Sequence, residues 1–116
     1  MNDELIIQLL NKLADTYTKY DASIIEEYLA EDFHYASMWV FDEITSKEAY
    51  LNYLRGKLQT MKNNGVLHKF EIIQGTRGYG LLVTYPPSND DGYGFVIQLN
   101  DNNKIARIDM TAACFF

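Results

Sequence analysis

The chain has 116 residues, 47% of them hydrophobic, with one cysteine and a formal net charge of −6. That length fits one domain over residues 1–116 built on a single core, and the apolar share excludes a disordered chain. Ten scattered Lys and Arg against sixteen Asp and Glu form no basic stripe, so neither nucleic acid nor an anionic membrane is expected as a partner.

Along residues 3–20, Ile6, Leu9, Leu10, Leu13, Tyr17 and Tyr20 recur at spacings of three and four. That period predicts an amphipathic helix, with Asp3 as its N-cap. Ser23 with Glu26 reads as a capping box for a short second helix, Ile24 to Ala30. From Phe33 to Phe41 the period changes: Tyr35, Ser37 and Trp39 alternate with His34, Ala36 and Met38, as in a strand. Thr45 and Glu48 make a second capping box, opening a third helix that runs to Asn64. Its stripe is Ala49, Tyr50, Tyr53, Leu54, Leu58 and Met61, and Gly65 supplies a left-handed stop.

The second half reads as strands: His68–Gln74, Gly80–Tyr85, Tyr93–Asn100 and Lys104–Ala113. Turn-rich links separate them, at Gly75–Gly78, Pro86–Gly92 and Asp101–Asn103, and such short links imply an antiparallel meander. Helices first and strands after argue for an α+β class. Helices then cover one face of the sheet, and the other meets water or another subunit. The lone Cys114 excludes an internal disulfide and a cysteine zinc site. No cofactor motif or metal site is read from the sequence. The acidic start Met-Asn-Asp-Glu does not resemble a signal peptide, and a cytoplasmic setting is expected.

Three stretches carry a family likeness: Tyr20-Asp21-Ala22-Ser23-Ile24-Ile25 with Leu29-Ala30-Glu31-Asp32-Phe33, then Ser46 to Leu54, then Asn100 to Asp109. In that order and spacing the chain resembles the nuclear transport factor 2-like superfamily, which includes SnoaL-like and ketosteroid isomerase-like proteins. The resemblance implies a cone-shaped, cystatin-like roll. In it, three N-terminal helices pack on the concave face of a curved, mostly antiparallel sheet, with a pocket between. It also implies that the convex face often forms a homodimer. The apolar tail Ala112-Ala113-Cys114-Phe115-Phe116 is expected to cover the pocket mouth or an interface.

The chemistries of such folds can be tested against the residues. A ketosteroid isomerase uses an aspartate base with a tyrosine and a protonated aspartic acid, but the matching positions here hold Ser37, Leu13 and Phe95. The Arg–Asp–Asp cluster of epoxide hydrolases has only Arg107 and Asp109 to offer. With Ala106, Ile108, Met110 and Ala112 inward, those two face outward beside Ile105 and Thr111 as an ion pair. A one-residue slip would reverse this. His34 and His68 are the only histidines for a cyclase or dehydratase, the first on the wrong face and the second opening a strand at the rim. Ser37 has no histidine placed to activate it. The Gly75–Gly80 and Asn89–Gly92 stretches read as turns.

What remains is aromatic. Leu13 and Tyr17, then Tyr35, Ser37 and Trp39, then Tyr50 and Leu54, then Tyr85, Phe95, Ile108 and Met110 form the candidate pocket wall, with Tyr53 adjoining. Such a wall suits a small hydrophobic or aromatic ligand. Three functions stay open: ligand binding without catalysis, an isomerase, dehydratase or cyclase with an unfamiliar acid–base set, and an interaction module using the convex face.

Overall fold

The computed structural model describes residues 3–37, 40–65, 68–75, 78–84 and 92–112. Within them the order is α1 (Asp3–Thr18), α2 (Ser23–Glu26), β1 (Leu29–Ser37), β2 (Val40–Ile44), α3 (Lys47–Asn63), β3 (Lys69–Gly75), β4 (Gly78–Thr84), β5 (Tyr93–Leu99) and β6 (Ile105–Ala112). The class is α+β, with one six-stranded sheet in the order β2-β1-β6-β5-β4-β3. From β3 to β6 the strands form the expected antiparallel meander, and β1 joins β6 in parallel.

Helix α1 buries Leu9, Leu10, Leu13 and Tyr17, the stripe its spacing announces. Tyr20 then takes a left-handed backbone (φ 53°), which ends the helix. The second helix is far shorter than Ile24 to Ala30. Ser23 does not cap it; instead Asp21 Oδ1 accepts from the Ser23 amide at 3.0 Å and hydroxyl at 2.7 Å. Those bonds favour the ionised carboxylate and hold its pKa below the ordinary value. Leu29 and Ala30 belong to β1, because pairing with β6 (Ile105 N to Tyr28 O, 2.7 Å) offers the backbone a partner that outcompetes another helical turn.

The stretch read as one strand from Phe33 to Phe41 is a hairpin. Ser37 pairs with Val40 and Tyr35 with Ile44, and no Gly, Pro or Asn marks the reversal. Helix α3 is capped one residue later than expected, by Ser46, whose hydroxyl accepts from the Ala49 amide at 3.1 Å. Its buried face is Tyr50, Leu51, Leu54 and Leu58, with Leu51 in place of the exposed Ala49. Gly65, at φ 65°, stops it as expected. At the start of β5, Gly92 has φ 85°, and a Cβ there would overlap the Val83 carbonyl oxygen. Only glycine fits.

Helix α3 lies over β1, and α1 over β3 and β4. The core between them holds Leu10, Leu13, Ile25, Phe33, Tyr50, Leu54, Leu81, Phe95 and Ile108. One expectation fails at β6. Ile105, placed outward by simple alternation, is fully buried with Ile108. The register slips between Gln98 and Leu99, so Ala106 is an extra residue opposite β5 and shifts the parity. Beyond that bulge the alternation holds, with Ile108 and Met110 on the helix side. Trp39, Tyr85, Asn89–Asp91 and the tail from Ala113 lie outside the described residues.

Candidate functional site

Register places the ends of β1, β4 and β6 and the starts of β3 and β5 at one end of the sheet: Ser37 pairs with Met110, Lys69 with Thr84, and Tyr93 with Ala112. Toward that end, rings from four elements meet between helices and sheet. Tyr17 of α1 stacks on Phe95 of β5 at 5.5 Å between centroids, and Tyr93 meets Phe95 edge-on at 5.5 Å. Tyr50 of α3 lies 4.7 Å from Phe33 and 5.1 Å from Tyr35 of β1, with Tyr53 5.6 Å from Tyr35. Tyr53 is 37% exposed, which makes it the solvent edge of an otherwise closed cluster.

The hydroxyls converge as well as the rings. Tyr17 is held well above the ordinary tyrosine pKa, first by burial and then by Tyr50, Tyr35, Tyr93 and Tyr53. Burial likewise raises Tyr35 and Tyr50, with Tyr53 the next cause in each. These groups therefore stay protonated at neutral pH and present O–H donors. The Tyr35 hydroxyl donates to Met110 Sδ at 3.1 Å. The Tyr50 hydroxyl is buried with no hydrogen-bond partner among the described residues, a state that costs about 1–3 kcal/mol until filled.

Over this cluster sits a residue that the sequence reading passed by, Lys57. Its Nζ lies 5.7 Å from the Tyr17 ring, 5.8 Å from Tyr53 and 5.9 Å from Tyr93, within cation–π range of all three. Burial lowers its pKa to about 8. His68 stacks on Phe70 at 5.6 Å and lies 5.9 Å from Tyr17. Its pKa is lowered by burial first and by Lys57 second. His68, just ahead of the first β3–β4 pair at the end of the sheet, is thus half-buried against the aromatic group. A signal for Lys57 did exist in the sequence: it follows Tyr50 by seven and Tyr53 by four, on the helix face that also carries Leu54 and Leu58.

Of the candidate wall, Leu13, Tyr17, Tyr50, Leu54, Phe95 and Ile108 are fully buried and Tyr35 nearly so. All seven pack in the one hydrophobic core cluster. Ser37 and Met110 are half-buried, and the pairing of Ser37 with Met110 puts both on the Tyr35 side. His34 is on the opposite face, where its Nδ1 lies 3.4 Å from Glu43. There Arg107 Nε also meets Asp109 at 3.0 Å and Arg107 Nη1 bonds Glu43. These partners raise the Arg107 pKa, Asp109 most of all. Away from this cluster, a polar groove of about 470 Å³ runs along Glu27, Asp32, Lys47 and Asn100. Among the described residues no group of three or more His, Cys, Asp or Glu could hold a metal, and no helix is long and apolar enough to cross a membrane.

No protein-family profile matches the sequence, and no curated protein matches it significantly. Solved structures do match in fold. A SnoaL-like protein of unknown function from Burkholderia thailandensis superposes with a TM-score of 0.77 at 12% identity, covering 97% of this chain and 98% of that one. An NTF2-like protein of unknown function from Mesorhizobium loti gives 0.73 at 12% identity, covering 97% and 93%. A protein from Kribbella flavida, provisionally named a ketosteroid isomerase, gives 0.67 at 15% identity, covering 94% and 78%. The chain has the SnoaL-like, nuclear transport factor 2-like fold.

Proposed function

We propose that this SnoaL-like chain binds a small organic molecule among the tyrosines between α1, α3 and the sheet. The observation that carries the reading is the Tyr50 hydroxyl, buried and unfilled amid the hydroxyls of Tyr17, Tyr35, Tyr53 and Tyr93. Core packing alone explains buried rings. It does not explain why so many of them carry hydroxyls where phenylalanine would serve at lower cost. Trp39 and Tyr85 belong to the same proposed wall.

Binding is favoured over carboxylate-based catalysis by what the cluster lacks. Among the described residues no carboxylate figures in the causes that shift Tyr17, Tyr35, Tyr50, Lys57 or His68. The ketosteroid isomerase type of base is a carboxylate, and the acids of β2 and β6, Glu43 and Asp109, stand on the other face of the sheet. An acid–base role inside the cluster would fall to Lys57, lowered by burial to about 8, or to His68.

The test is Tyr50→Phe, read by thermal melting and by ligand-observed NMR against a panel of aromatic fragments. The variant is expected to melt higher, because an unfilled hydroxyl is gone, and to bind fragments more weakly. A variant that melts lower and binds unchanged would show that the hydroxyl serves the fold.

A second reading concerns the outer face, where the half-buried Ile73 and Leu82 alternate with the inward residues of β3 and β4 and, beside the buried Val96 of β5, form a small apolar strip. We propose that this strip is covered in a homodimer. Sedimentation at micromolar concentration is expected to show two chains, and a monomer would refute it.

A further inference from the structure

We propose that the ligand of the tyrosine cluster is a small organic anion, a monocarboxylate on a planar or branched apolar body, and that Lys57 is its counter-ion. This rests on the cluster being a ligand site at all.

With sixteen acids against ten bases, partners are plentiful, and among the described residues the other part-buried cations use them: Lys47 meets Glu31 at 3.8 Å, and Arg107 holds Asp109 and Glu43, as does the exposed Arg55 with Glu26 at 3.4 Å. Lys57 is more enclosed than the exposed Arg55, yet among the described residues it has rings around it and no carboxylate. An ammonium taken partly out of water without a counter-ion is expensive. Three ring faces at near 6 Å return part of that cost. An anion would return more.

The surroundings select for the same charge. Every polar group identified around Lys57 is a donor or neutral at pH 7. Tyr17 from α1, Tyr50 and Tyr53 from α3, Tyr35 from β1 and Tyr93 from β5 carry phenols, and His68 ahead of β3 is held toward its neutral form. One cation plus O–H groups, among apolar rings and without a carboxylate among the described residues, makes surroundings that favour one negative charge. A cationic ligand would meet Lys57 head-on. A phosphate dianion asks for more positive charge than one lysine in an aromatic wall provides. A carboxylate fits both the single charge and the unfilled Tyr50 hydroxyl, and its body would lie against the rings.

The test uses the full chain and a panel of carboxylates, each matched with its primary amide, such as benzoate with benzamide and hexanoate with hexanamide. Affinities are measured by NMR titration at pH 7 on wild type, Lys57→Met and Lys57→Gln. At least one carboxylate is expected to bind ten-fold or more tightly than its amide. Both variants should erase that preference while leaving amide binding in place. A preference that survives in the variants, or amides that bind as well as acids to wild type, would overturn the inference and leave the pocket standing. No binding by any member of the panel would overturn both. Should the variants fail to fold, the wild-type Lys57 side-chain NMR titration decides: its midpoint must move up when the carboxylate is added, and an unmoved midpoint refutes the role.

Discussion

The two faces of the one sheet solve the same electrostatic problem in opposite ways. On the outer face, β1, β2 and β6 bring His34, Glu43, Arg107 and Asp109 together, so a half-buried guanidinium is answered by two carboxylates within the chain. On the helix-covered face, a half-buried ammonium is answered by the rings of Tyr17, Tyr53 and Tyr93 and by no acid among the described residues. The outer arrangement is complete in itself. The inner one leaves its ammonium without an acid among the described residues, and that asymmetry is what the proposed anion site rests on.

The largest effect should come from breaking the apolar half of the contrast. Ile108 and Arg107 are sequence neighbours on opposite faces. Ile108→Ala, which empties a fully buried site, is expected to cost about 2–4 kcal/mol in urea unfolding. A cost below about 1 kcal/mol would mean that the face assignment of β6 is wrong. Next comes Tyr50→Phe, expected to gain about 1 kcal/mol by removing a buried hydroxyl without a partner.

The third effect is a slope with pH. Lys57 titrates near 8 in the folded chain against an ordinary 10.5, so between those values the unfolded chain holds a proton that the folded chain has shed. Stability therefore rises with pH across that window. Above the ordinary tyrosine value of 10.0 the sign reverses, because Tyr17, Tyr35 and Tyr50 keep their protons longer when folded. His68 titrates below its ordinary 6.5 and stays out of the window. Urea unfolding of the free protein should thus show stability climbing above pH 8 and falling past 10. Lys57→Met should flatten the climb and keep the fall; a climb that survives the substitution belongs to another group. The smallest effect is on the outer face. Arg107→Gln should cost no more than about 1 kcal/mol, as a partly exposed pair does, and its cost should shrink in high salt.

How far the sequence could be read follows the same divide between local and long-range causes. The stripe of α1, the stop at Gly65 and the meander of β3 to β6 are local patterns, and the structure contains them. The short α2 was not legible, since Leu29 and Ala30 leave the helix to pair with β6, more than seventy residues away in sequence. The hairpin of β1 and β2 lacks turn residues. The bulge at Ala106 shifts parity without any glycine to announce it. Lys57 was overlooked because a lysine on a helix is ordinarily solvated; its position on the Tyr50–Leu54–Leu58 face was the available sign. The buried rings of Tyr17, Tyr35, Tyr50 and Phe95 were legible from spacing and alternation, whereas the contacts among them needed three dimensions.

The most direct test of the inner site is to map where an organic carboxylate lands, by following backbone and side-chain NMR shifts during a benzoate titration. The expected shifts fall on Tyr17, Tyr35, Tyr50, Tyr53, Lys57 and Tyr93. Shifts confined to His34 and Arg107 on the outer face would mean that the anion prefers the already paired cation, and the inner cluster would then be core and nothing more.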